Sequence, residues 1–311
     1  MESVALRSTF TSKLCEIAEN NDNILVVASD SRGSCSLTDF FERFPDRSIE
    51  VGIAEQNLIG IAAGLSSTSK RVFACGPASF LSARCLEQVK IDIAYNESSV
   101  VIVGVSGGIS YGALGFSHYS LHDIAVMRAF PKLDVIIPSD GVQMAYLTKL
   151  LCSNKKPTYV RIGRNPVPVI YDENSSFEIG KANVLREGKD ILLIACGEMT
   201  SNALDACNML SNEGIDITLL DMHTIKPLDT EAILKYAENS KICITIEEHS
   251  IYGGLGGAIS EFLSQNHPMN MKILGLPDED IVSGKSQEVF KYYGLDSKGI
   301  YDNLKKLITR G

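Results

Sequence analysis

The sequence predicts an α/β protein made of two successive three-layer domains, each a mostly parallel sheet with helices on both faces. Three observations carry this reading. Continuous apolar runs of strand length recur along the chain, and stretches with helical periodicity separate them. The runs lack polar alternation, which marks strands buried on both faces, as in parallel sheets. The series breaks once, between Gly163 and Glu178, where turn and loop residues replace the periodic pattern.

Taken in order, Phe10, Leu14, Ile17 and Ala18 share one face of a helix that precedes the apolar strand 24–28. Further strands are predicted at 71–75, 100–105, 135–137 and 158–161, with helices at 55–67, 81–95, 121–130 and 141–152. The segments 163–168 and 172–176 then divide the chain into residues 1–170 and 171–311. The second series has strands at 191–195, 217–220, 242–246 and 272–274, helices at 201–211, 230–238 and 258–263, and a terminal helix at 300–309. A chain of 311 residues can bury two cores of ordinary size. In open sheets of this kind, ligands bind beyond the carboxyl ends of the strands.

Composition narrows the function. With 45% hydrophobic and 22% charged residues the chain is globular, and it holds no apolar run of the roughly 18 residues that a membrane span needs. A net charge of −9 and the absence of a long basic run argue against a nucleic-acid surface. No basic segment followed by a short apolar core opens the sequence, so a cytoplasmic location is expected. The 8 cysteines are dispersed, form no C-x-x-C pair and read as buried thiols; the 5 histidines show no metal-ligand spacing.

The chemistry concentrates in Val51-Gly-Ile-Ala-Glu-Gln-Asn-Leu-Ile-Gly-Ile-Ala-Ala-Gly64, which sets Glu55 at the start of a helix otherwise built from small and apolar residues. Burying a lone carboxylate costs several kcal/mol unless it has a partner or is neutral. Glu55 is therefore either a helix-start acid favoured by the macrodipole or a working group of a site. Two other strings have structural readings. Tyr252-Gly-Gly-Leu-Gly-Gly257 looks like a phosphate cradle, but no tight strand-to-turn entry and no ribose-binding acid accompany it, so tight turning and close packing are expected. Ser139-Asp140-Gly141 reads as a helix-capping turn.

With Asp30-Ser-Arg-Gly-Ser34 upstream and Ala78-Ser-Phe80 downstream, the Glu55 segment resembles the pyrimidine-binding domain of thiamine-diphosphate enzymes and, among them, transketolase. The resemblance runs collinearly from about Leu6 to Leu307 and makes the second domain a transketolase C-terminal domain. It implies that Glu55 hydrogen-bonds N1′ of the cofactor's aminopyrimidine, that Phe80 packs against that ring, and that Asp30 lines the same pocket. It further implies that Arg7, Ser34 and Arg164 bind substrate phosphate, and that His118, in the loop Ser106-Gly-Gly-Ile-Ser-Tyr-Gly-Ala-Leu-Gly-Phe-Ser-His118, reaches substrate hydroxyls and moves protons. Unaided by it, Arg7 reads as a solvated arginine, Phe80 as core and His118 as a loop histidine. Arg161 reads as an ion-pair or interface residue.

Full-length transketolases hold the cofactor's diphosphate through Mg²⁺ with a Gly-Asp-Gly motif in a separate domain, and no Gly-Asp-Gly occurs here. The resemblance thus implies thiamine diphosphate as cofactor, Mg²⁺ ligands on a partner chain equivalent to the transketolase N-terminal section, and an α2β2 assembly. The implied reaction is ketol transfer between sugar phosphates of the pentose phosphate type. The chain departs from the family at Leu114, where many transketolases have an acid, and near Ser106, where they have a further histidine. The β subunit of a 2-oxo acid dehydrogenase shares the architecture but is expected to carry Glu-Glu-Gly where Glu55-Gln-Asn57 stands. An enzyme like deoxyxylulose-phosphate synthase and a non-catalytic assembly subunit would also share it.

Overall fold

The computed structural model describes residues 3–310. The first unit runs β1 (Ser3–Ala5), α1 (Leu6–Ala18), β2 (Ile24–Ala28), α2 (Thr38–Arg43), β3 (Ser48–Glu50), α3 (Glu55–Ser66) and β4 (Arg71–Pro77). It continues through α4 (Ala78–Ala83), α5 (Leu86–Gln88), β5 (Val100–Val105), α6 (Asp123–Ala129), β6 (Asp134–Ile136), α7 (Gly141–Ser153), β7 (Thr158–Ile162) and β8 (Pro166–Pro168). The second unit comprises β9 (Asn183–Arg186), β10 (Ile191–Ala195), α8 (Met199–Ser211), β11 (Ile217–Asp221), β12 (Thr224–Lys226), α9 (Thr230–Ala237) and β13 (Ile242–Ser250). It ends with α10 (Leu255–Asn266), β14 (Met271–Leu276), α11 (Ser286–Tyr293) and α12 (Ser297–Arg310).

The first sheet has the order β12-β6-β7-β5-β4-β2-β3, parallel except for β12, which pairs antiparallel with β6. All residues of β2, β4, β5 and β7 are buried, as their unbroken apolar runs require. The two faces divide by the strand period. Val101, Val103 and Val105 join the core beneath α1 and α7, while Val100 and Ile102 join the core on the α3 side. The second sheet runs β14-β13-β10-β11-β9, with only β9 antiparallel. Leu192 and Ile194 of β10 and Leu220 of β11 belong to the same apolar cluster as Leu58, Ile59 and Val72, so one core joins the two units.

Sequence and structure differ in informative places. The segments β1, β3, β8 and β12 have 3 residues each, too few to show a period. The helix expected over 81–95 is instead broken into α4, α5 and a π-helical stretch, Val89–Tyr95. At the break, the Arg84 carbonyl accepts a hydrogen bond from Gln56 Nε2 at 3.0 Å. Arg84 stands at this break, as the residue that caps α4.

The capping turn has its expected role. Asp140, fully buried, accepts from Gln143 N–H at 2.8 Å and, through Oδ2, from Ile170 and Tyr171 N–H at 2.8 and 2.9 Å. Asp140→Ala strands one buried and two part-buried donors and is expected to destabilise the fold by about 2–4 kcal/mol, read as a shift of the denaturation midpoint without loss of slope.

The glycine turn is filled from within. Leu255 and Gly256 N–H, which open α10, donate to the buried Glu247 carboxylate at 2.7 and 2.8 Å, and a Cβ on Gly254 would lie 1.9 Å from its Oε2. A protein carboxylate thus occupies the anion position, and the packing reading holds. Burial pushes Glu247 up to about 7 from 4.5, against the pull of the two N–H donors. A carboxyl with a raised folded-state value stabilises fully below the unfolded value and loses that contribution as pH rises through the folded one. Relative to Glu247→Gln, the wild type should therefore lose melting temperature between pH 4.5 and about 7. The difference between the two proteins is the readout because it cancels the buried groups remote from Glu247; His249, pulled by burial down to about 4 and with Nδ1 3.8 Å from Glu247 Oε2, titrates with the opposite sign.

Candidate active site

The residues singled out in the sequence follow the carboxyl ends of the first sheet's strands. Glu55 opens α3, Phe80 lies just after β4, His118 sits in the loop after β5, where Tyr111 joins it, and Arg164 follows β7. Ser34 lies in the loop after β2, and Arg7 reaches it from α1. This is the edge at which parallel α/β sheets bind ligands.

Glu55 is 5% exposed and is not alone. Arg84 Nη1 donates to both its oxygens, at 3.0 and 3.1 Å, and the Arg84 guanidinium lies 4.1 Å above the centre of the Phe80 ring. The lone carboxylate expected from the sequence is therefore an ion pair, made by a residue that sequence reasoning missed because it lies inside a predicted continuous helix. A flat, delocalised N–H donor resting on Phe80 and bonding Glu55 makes the contacts a protonated aminopyrimidine would make. Glu55 and Phe80 thus fit the pyrimidine end of the cofactor. With a side chain 51% exposed, Arg84 can leave that place toward solvent.

From Phe80 the contacts continue in one line. Its ring meets the His118 ring edge-on at 5.4 Å, His118 meets Tyr111 at 5.2 Å, and Tyr111 lies 5.4 Å from the Arg164 guanidinium carbon. The Ser117 hydroxyl is 3.0 Å from His118 Nδ1, which leaves Nε2 for a substrate. At the far end, Arg7 Nη1 donates to the Ser34 carbonyl at 2.8 Å, so Ser34 enters through its backbone here. Burial and then the neighbouring Arg164 cation lower the Arg7 guanidinium from its ordinary value. Buried Arg7 Nε and Arg164 Nη1 have no hydrogen-bond partner among the described residues. Two adjacent guanidiniums with unfilled donors suit a dianion.

Asp30 stands apart. Its side chain is exposed, its backbone is left-handed (φ 51°), and its N–H donates to Glu50 Oε1 at 2.6 Å. Among the described residues its side chain makes no hydrogen bond or ion pair with the line from Glu55 to Arg7. Tyr111, Arg84 and Glu50 were not anticipated; the signal for Tyr111 was an aromatic in a glycine-rich loop after a buried strand. Leu114 and Phe116 are 56% and 60% exposed and give this loop an apolar outer rim. The described residues contain no group of three or more side chains able to hold a metal ion, and all 8 cysteines are buried free thiols.

This fold and edge define a chain of the thiamine-diphosphate pyrimidine-binding class joined to a second α/β domain. The pyrimidine binding domain family of transketolase matches residues 2–169, and the transketolase C-terminal domain family matches residues 180–300. The chain belongs to the transketolase family. It is 50% identical over 299 residues to an apulose-4-phosphate transketolase subunit of Phocaeicola vulgatus, covering 96% of this chain and 95% of that one. A putative transketolase C-terminal section of Methanocaldococcus jannaschii is 39% identical over 97% of this chain and 96% of its own length. A solved structure described as a split gene transketolase, inactive beta4 tetramer, superposes with a TM-score of 0.90 at 35% identity, over 98% of this chain and 99% of that one.

Proposed function

We propose that this chain, with residues 1–170 as its pyrimidine-binding domain and 171–311 as its C-terminal domain, is the second subunit of a split transketolase. The enzyme moves a two-carbon ketol unit from a ketose phosphate, such as xylulose 5-phosphate, to an aldose phosphate, such as ribose 5-phosphate. The observation that carries this reading is the continuous line from Glu55 to Arg7, with a carboxylate and aromatic at one end and an anion-binding arginine pair at the other. When bound, thiamine diphosphate supplies the nucleophilic carbon of the transfer. Glu55 holds a proton at the pyrimidine nitrogen and Phe80 orients the ring, while Asp30, which no hydrogen bond of its side chain ties to that line, borders the pocket only through the family resemblance. His118 takes and returns the proton of the substrate hydroxyl next to the cleaved bond. Arg7, Arg164 and Ser34 bind the phosphate.

The diphosphate and Mg²⁺ belong, in this reading, to a partner carrying the transketolase N-terminal section, since no Gly-Asp-Gly occurs in the sequence. Two such pairs form an α2β2 enzyme in the cytoplasm. The named relatives support a subunit role, and the solved split-gene structure is described as an inactive assembly of β chains. Among the described residues no helix is long and apolar enough to cross a membrane. Assay of the co-purified complex with xylulose 5-phosphate and ribose 5-phosphate should give sedoheptulose 7-phosphate and glyceraldehyde 3-phosphate. Turnover of 2-oxo acids without ketol transfer would overturn the reading in favour of a dehydrogenase β subunit.

A further inference from the structure

The loop that carries Tyr111 and His118 is held by the second domain, which itself supplies no residue to the line from Glu55 to Arg7. Ile109 and Tyr119, at its two ends, are buried in the hydrophobic cluster of Leu193, Ile246 and Phe290. Glu248, 3% exposed at the carboxyl end of β13, accepts the Ile109 N–H at 2.8 Å through Oε1. Arg161 fixes Glu248 in turn: its Nη2 donates to the Glu248 carbonyl at 2.6 Å and lies 3.6 Å from Oε2. The Ser286 hydroxyl is 3.4 Å from the Ile109 carbonyl, so side chains of the second domain meet both polar groups of that one peptide residue.

The glycines of the loop follow from this approach. A Cβ on Gly107 would lie 2.2 Å from Arg161 Nε, and one on Gly108 would lie 2.1 Å from the Glu248 carboxyl carbon. Gly108 also has φ +60°, a conformation that L side chains rarely adopt. Gly108 and Ser120 pair across the loop base, and Tyr119 OH donates to the Gly112 carbonyl at 2.7 Å. The loop is thus closed at its base, and Glu248 is the carboxylate that holds it beside the Ser286 hydroxyl, the Val282 carbonyl and the apolar cluster.

We propose that Glu248 is a positioning residue for substrate recognition, acting through Ile109 to hold Tyr111 and His118 in register with Arg164. The proposal rests on the ketol-transfer reading of the site. Removing the acceptor should leave the cofactor end in place, because Glu55, Arg84 and Phe80 belong to α3 and the α4–α5 segment, make no hydrogen bond or ion pair with Glu248 among the described residues, and meet the loop through the edge-on contact of Phe80 with His118.

The test uses the complex with its partner chain. Glu248→Ala should raise KM for xylulose 5-phosphate about 10- to 100-fold, as expected when a buried N–H donor loses its acceptor. Thiamine diphosphate affinity, measured by titration calorimetry, should not change. Amide exchange over 109–118 should accelerate while that of α3 stays at the wild-type rate. Glu248→Gln, which keeps an acceptor oxygen for Ile109 N–H, should restore KM to within about threefold of wild type. If the alanine variant does not fold, Ser286→Ala serves, with a smaller rise in KM and faster exchange over the same residues. Unchanged loop exchange and KM, or an equal loss of cofactor affinity, would overturn the proposal. Absence of ketol transfer by the wild-type complex would instead sink the underlying reading, while the exchange measurement still decides the latch.

Discussion

Glu55→Gln in the assembled enzyme is expected to lower turnover by about 100- to 10,000-fold, the range spanned by a positioned proton-transfer group. The carboxylate opens α3 in a nearly dry position, with both oxygens directed at a single cationic donor that rests on Phe80. Glutamine keeps the size and one acceptor but cannot hold the proton that the pyrimidine nitrogen shares. The substitution also leaves the Arg84 guanidinium without its counter-charge, but its side chain is half exposed and water can solvate it. The fold should therefore survive: circular dichroism and melting temperature near wild type, with kcat collapsed. Full activity at saturating cofactor would show that Glu55 is a helix-start acid and nothing more.

Arg164→Ala carries the second large effect. Its Nη1 is buried and unpartnered among the described residues, and its side chain is flanked by Tyr111 and the Arg7 cation. Such a pair of like charges is held together at a cost that an anion removes. If a charged hydrogen bond contributes about 1.5–3 kcal/mol, the substitution should raise KM for phosphorylated ketoses roughly 10- to 150-fold. The loss should fall mainly on KM rather than kcat, because the arginine grips the end of the substrate remote from the bond that breaks. Arg164→Lys should recover little, since a single ammonium cannot reproduce the aligned pair of guanidinium bonds. A KM within twofold of wild type for the alanine variant, on the order of 0.4 kcal/mol, would remove Arg164 from the site.

The parallel sheets were legible because their strands are apolar without interruption. Ile24–Ala28, Val100–Val105 and Ile191–Ala195 are all found as strands, and helices open at Glu55, Gly141 and Thr230 as expected. The short edge elements β1, β8 and β12 were not, because 3 residues carry no period and their pairing is decided by chain segments far away. The same limit applied to the site. Glu55, Phe80, His118 and Arg164 stand out by type and setting, and the structure brings them onto one edge together with Arg7 and Ser34. Arg84 is invisible in the sequence because its role depends on a helix break stabilised by Gln56, 28 positions away. Glu248 is invisible for a related reason. Its partner, Ile109, lies 139 positions earlier in the chain. Glycines 107 and 108 marked a functional loop but could not reveal which side chains force them to be glycines.

The most direct test is to titrate this chain with the N-terminal-section partner and follow ketol transfer from xylulose 5-phosphate to ribose 5-phosphate at saturating thiamine diphosphate and Mg²⁺. Activity should be absent from either chain alone, rise linearly with partner and level off at equal amounts of the two. Transfer by this chain alone would contradict the account, because the site would then be complete without a second chain.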